Sequence, residues 1–115
     1  MRVWQPWSAD VDSTFSQLAP ALYGYMQGAS EFVVTGSLKN YDITPRLGEL
    51  RMPVLFTGGE FDEASPTTTR WYASLIPGTR AEIIPGSGHL TMHDNPDAYV
   101  RVVRTFLDSL DRAAR

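Results

Sequence analysis

The run Val54-Leu55-Phe56-Thr57 carries no charge and is halted by Gly58-Gly59, and this restricts the fold more than any other feature of the chain. Apolar character without alternation suits a strand whose sheet is covered on both faces, as in parallel sheets flanked by helices. Ser65-Pro66 then offers a hydroxyl N-cap with proline at the first helical position. Trp71, Tyr72 and Leu75 are placed to face a core, and Ile76-Pro77-Gly78 ends the helix. A second strand is predicted over residues 80–84. Asn95-Pro96 repeats the cap signal ahead of Tyr99, Val100, Val103, Phe106, Leu107 and Leu110, which recur at helical spacing. Strand, helix, strand, helix implies right-handed crossovers and a parallel sheet, so the fold class is α/β. Two strands are too few to cover both helices, and further strands are expected from somewhere beyond these two units.

Before Pro53 the pattern is irregular. Val11, Phe15, Leu18, Leu22 and Tyr25 stand three and four apart, which predicts an amphipathic helix over residues 11–27, or a helix pair broken at Pro20. Residues 29–45 read as loop with one extended piece, Phe32-Val33-Val34, followed by a turn of helix at residues 46–50. Residues 85–95 read as loop.

Composition narrows the chemistry. Ten basic and 13 acidic residues leave a net charge of −3, with the basic residues scattered, so neither nucleic acid nor an anionic membrane is an expected partner. The chain has no cysteine, which removes disulfides, thiol catalysis and thiolate metal sites, and its two histidines cannot make a zinc site without carboxylate help. No apolar run approaches the ~18 residues of a membrane span, and the first ten residues lack the pattern of a signal peptide; the expected location is the cytoplasm.

In open α/β sheets, functional residues lie on loops at the carboxyl ends of the strands. Two such loops occur here: Gly58-Gly59-Glu60-Phe61-Asp62-Glu63-Ala64-Ser65-Pro66 and Pro85-Gly86-Ser87-Gly88-His89-Leu90. Parallel strands bring Asp62 and His89 to one sheet edge, where a carboxylate beside an imidazole forms the back half of a nucleophilic triad. Alone, Asp62 reads as a turn or N-cap residue and His89 as a structural or solvated loop residue; together, each after a parallel strand, they point to catalysis. His93, in the segment read as loop, is expected to be solvated or structural rather than a metal ligand.

Asp62 in GGEFDEASP, His89 in GSGHLTM and the closing NPDAYVRVVRTFL resemble the C-terminal part of the α/β-hydrolase fold. YGYMQGASEF, TGSLKNYDITPRLGEL and the pair Asp62-Glu63 narrow the resemblance to the proline iminopeptidase family. It covers nearly all of the chain and is weakest over the first ~20 residues. The resemblance implies that residues 1–45 are the end of a helical cap with its return segment, and residues 46–115 the last two parallel strand–helix units of the core. It implies that Asp62 is the triad acid and His89 the general base. It further implies that Glu31 and Glu63 bind the free α-amino group of a peptide substrate, as opposing carboxylates would for an ammonium entering a partly dry pocket. Trp4, Trp7, Tyr23, Tyr25 and Phe32 fall in the cap part, where they either line an apolar pocket or pack its core. No cofactor or metal is expected.

The chain departs from that family in one large respect. The nucleophile elbow G-x-S-x-G does not occur: the only glycines four apart, Gly24 and Gly28, bracket Met26. The Gly-rich loop that would supply oxyanion donors is also missing. Three readings follow. The first is the C-terminal part of a serine aminopeptidase, inactive as an isolated chain. The second is a non-catalytic remnant acting through a partner chain or self-associating by an uncovered sheet edge. The third is another α/β hydrolase, such as an esterase or epoxide hydrolase, with no need for Glu31 and Glu63.

Overall fold

The computed structural model describes residues 19–30 and 33–115. Pro20–Met26 forms α1, with Pro20 as its first residue. Proline therefore starts this helix, where its missing N–H costs nothing. The rest of the predicted 11–27 helix, with Val11, Phe15 and Leu18, lies outside the described residues. No residue of α1 is buried, and Leu22 and Tyr25 are exposed, so the expected apolar stripe is not covered. Backbone bonds hold the segment that follows: Gln27 O accepts from Thr35 and Gly36, and Tyr25 O and Met26 O accept from Ser37 and Leu38. The predicted extended piece near Val33 amounts to a single antiparallel bridge between Ser30 and Val33.

The predicted turn at residues 46–50 is a 3-10 helix, Thr44–Glu49, beginning two residues earlier. Asp42 Oδ1 accepts the Thr44 N–H at 2.8 Å and so starts the turn, which buries Leu47.

Leu55–Gly59 forms β1 and Arg80–Ile84 forms β2. They pair in parallel, with Leu55 opposite Arg80 and Gly59 opposite Ile84. Pro66–Ser74, α2, makes the crossover; its Ser65 cap accepts the Thr68 N–H at 3.3 Å. Here Gly58-Gly59 do not end the strand as the sequence reading has it. They continue it, paired with Ile83 and Ile84, and glycine stands there because other parts of the chain pass too close for a side chain. A Cβ on Gly58 would lie 2.6 Å from Thr69 Oγ1 of α2, and one on Gly59 would lie 2.1 Å from the carbonyl oxygen of Gly88.

After β2 the expected loop at residues 85–95 contains a helical turn, Thr91–Asp94 (α3), which neither proline nor a side-chain cap announces. Pro96–Ala113 forms α4. Asn95 ties its start to β2: Oδ1 accepts the Ala98 N–H at 3.2 Å, while Nδ2 donates to Pro85 O at 2.9 Å.

The core is small, comprising Leu47, Ala73, Ile76, Ile84 and Ala98. Among the described residues the sheet has two strands, in keeping with a chain that carries two strand–helix units and lacks the first strands of the sheet. Its helices are accordingly half covered: α4 buries only Ala98, while Val100, Leu107 and, on α2, Trp71 are exposed. Among the described residues no helix is long and apolar enough to cross a membrane.

Candidate active site

Two loops leave the carboxyl ends of β1 and β2, and backbone bonds join them. The Glu60 N–H donates to Ile84 O at 3.1 Å and the Phe61 N–H to Ser87 O at 2.9 Å. Glu60 Oε2 accepts the Gly86 N–H at 2.8 Å, and Gly86 turns the chain with φ 68°. Ser87, fully buried, donates its hydroxyl to Ile84 O at 2.8 Å. Gly88 is buried too, and its N–H donates to Asp94 Oδ2 at 2.7 Å. The glycine at position 59 lets the Ser87 and Gly88 carbonyls rest against β1.

This packing brings the predicted acid and base together. His89 Nδ1 lies 3.0 Å from Asp62 Oδ1. Asp62 is buried, at 6 % exposure, whereas the His89 side chain is 43 % exposed. Asp62 Oδ1 also accepts the Ala64 N–H at 2.9 Å, which fixes the carboxylate against its own loop. Burial pushes the Asp62 carboxyl upward, but hydrogen bonds from His89 and the backbone at Ala64 and Gly59, with the attraction of the imidazole, outweigh it and hold Asp62 below the usual carboxylate value. An ionised Asp62 suits an Nδ1–H donor on His89, the tautomer that leaves Nε2 as the acceptor of the ring. The contact joins the two loops across 27 residues, and the bond to Ala64 makes Asp62 a turn residue as well.

Glu63 follows Asp62 directly, and its Oε2 is withdrawn from solvent. Glu31, its expected partner in binding an amine, lies outside the described residues, between the bridged Ser30 and Val33. Trp4, Trp7 and Phe32 of the cap aromatics also lie outside them; Tyr23 is half-buried and Tyr25 exposed. His93 is exposed on α3, a helical turn where the sequence reading has loop. Among the described residues no three His, Cys, Asp or Glu side chains stand together as metal ligands would. The loop carboxylates Glu60 and Asp94 were not singled out in the sequence. Glu60, adjoining the glycines, was the more legible of the two; Asp94 sits in a helical turn that no cap signals.

No protein-family model matches the sequence. Among curated proteins, the chain is 43 % identical over 89 residues to a proline iminopeptidase of Heyndrickxia coagulans, covering 77 % of this chain and 31 % of that one. It is 32 % identical over 88 residues to a proline iminopeptidase of Saccharolobus solfataricus, covering 76 % and 28 %. The chain therefore spans about a third of the length of these relatives. Among solved structures, the proline iminopeptidase of Mycobacterium smegmatis superposes with a TM-score of 0.80 at 33 % identity, over 94 % of this chain and 39 % of that one. The structure of VinJ gives 0.75 at 31 % identity, over 91 % and 36 %. In sequence and in backbone the chain is proline iminopeptidase-like, and its two parallel strand–helix units are part of an α/β-hydrolase fold.

Proposed function

We propose that this chain is the C-terminal, base-bearing part of a serine aminopeptidase acting on peptides with a free N-terminus. The observation that carries the reading is the 3.0 Å contact between a buried Asp62 and an accessible His89 at the carboxyl ends of adjacent parallel strands. In such a reaction the Asp62 carboxylate holds the imidazole with its proton on Nδ1. Nε2 then removes the proton from an attacking serine hydroxyl and later delivers it to the leaving amine, while Asp62 stabilises the imidazolium formed between. Glu63, beside the acid, and Glu31 are the groups to pair with the substrate ammonium, which would favour unblocked peptides.

G-x-S-x-G does not occur among these 115 residues; on this reading the attacking serine lies elsewhere, and the chain alone is expected to turn over no substrate. Residues 1–45 are then the end of the cap and residues 46–115 the end of the core. A second reading is a different α/β hydrolase, which would share the Asp62 and His89 loops and have no need for Glu31 and Glu63.

A chimaera separates the two readings. In it, this chain replaces the matching segment of the Mycobacterium smegmatis proline iminopeptidase, and chromogenic prolyl substrates are compared with free and acetylated N-termini. An aminopeptidase cleaves only the free form, and Glu31→Gln with Glu63→Gln raises KM for it. Equal turnover of both forms, or a KM indifferent to both substitutions, overturns the assignment.

A further inference from the structure

The loop that carries His89 is gripped on both edges of one peptide group. The carbonyl of Ser87 accepts the Phe61 N–H, from the residue directly before Asp62. The N–H of the same Ser87–Gly88 peptide donates to Asp94 Oδ2 at 2.7 Å. The next carbonyl, that of Gly88, lies against the Cα of Gly59. Three contacts therefore set the backbone from which the imidazole projects. Two of them come from the acid loop and its strand, and the third from a side chain on the far side.

We infer that Asp94 is a positioning residue for His89: by accepting the Gly88 N–H it fixes the Ser87–Gly88 peptide plane, and with it the approach of the imidazole to Asp62. The bond crosses six residues, from the end of α3 back to the loop before it. Gly88 is buried, so losing this acceptor leaves a donor that water does not readily reach, and the peptide must turn to find another. A turn at Gly88 carries His89 with it and breaks the contact to Asp62. Thr91, buried at the start of α3, keeps that turn seated, so the carboxylate is presented from a fixed support.

The inference rests on Asp62 and His89 working as a pair, and one set of spectra tests the two separately. The probe is the 15N-labelled chain at a pH above the imidazole titration, with the tautomer of His89 read from its ring nitrogens. In the wild type the Nδ1–H form is the major one and the Gly88 amide is protected from hydrogen exchange. Asp94→Ala is expected to make Nδ1–H the minor form. Asp94→Asn, which keeps an oxygen acceptor without the charge, is expected to leave it the major form. A tautomer unmoved by Asp94→Ala, or one lost equally in Asp94→Asn, overturns the role of Asp94. Should Asp94→Ala fail to fold, a Gly88 amide in the wild type that exchanges as fast as an open loop overturns it as well. Asp62→Ala serves the underlying pair: a tautomer unchanged there removes the acid–base reading itself, whatever Asp94 does.

Discussion

Replacing Gly59 by alanine tests whether the closeness of the two loops makes the site. The added Cβ would meet the Gly88 carbonyl oxygen at 2.1 Å and the Ser87 carbonyl oxygen at 2.6 Å, and both are backbone atoms that no rotamer change can move aside. Reaching ordinary contact requires a shift of about 1.3 Å. A shift of that size takes the His89–Asp62 contact from 3.0 Å to beyond hydrogen-bonding range and strains the Phe61–Ser87 bond of 2.9 Å. Overpacking against backbone costs about 2 kcal/mol and the bond about 1 kcal/mol more. At this chain length a loss of about 3 kcal/mol lowers Tm by roughly 10–15 °C. The assay is thermal unfolding followed by circular dichroism, with Gly24→Ala as the comparison. Gly24 lies in α1 with nothing within 4 Å of a new Cβ, so alanine there leaves Tm unchanged or raises it. A Gly59→Ala protein melting within about 2 °C of wild type would refute the claim that this close passage holds the loops.

Three other outcomes are expected. Asn95→Ala removes the α4 cap and the bond to Pro85 O, costing about 1–2 kcal/mol in urea unfolding, and a loss below a few tenths would contradict that role. Because the Asp62 carboxyl is held below its ordinary value of 3.8 in the folded chain, the unfolded chain binds the extra proton as pH falls. This stabilisation is whole above that value and is lost as pH drops through the folded one. Urea midpoints at about pH 5 and about pH 3 should therefore fall further in wild type than in Asp62→Asn, and equal falls would count against it. The isolated chain, with a two-stranded sheet and Trp71, Val100 and Leu107 exposed, is expected to self-associate in sedimentation at micromolar concentration; a clean monomer would contradict this.

Much of this was legible because caps and periodicity are local. Ser65-Pro66 and Asn95-Pro96 start helices where side-chain oxygens accept backbone N–H groups, and those bonds depend only on near neighbours. The pairing of Asp62 with His89 was legible because parallel strands deliver successive loops to one edge. What the sequence concealed depends on distant contacts. Gly58-Gly59 read as a stop and prove to be strand, since the reason for glycine there is the approach of Thr69 and Gly88. Thr91–Asp94 read as loop because it has neither proline nor a capping side chain and gains its carboxylate bond from a glycine six residues back. The apolar stripe of α4 is legible as helical spacing, yet spacing cannot say that so little of it is covered.

The proposed role of His89, oriented by Asp62, is that of the proton-transferring base of an aminopeptidase. It is tested most directly by the rate at which the chimaeric enzyme hydrolyses a chromogenic prolyl substrate with and without His89→Ala. Turnover in the chimaera and a loss on the order of 10⁴-fold or more in the variant are expected. A folded chimaera whose turnover survives the loss of His89 would contradict it.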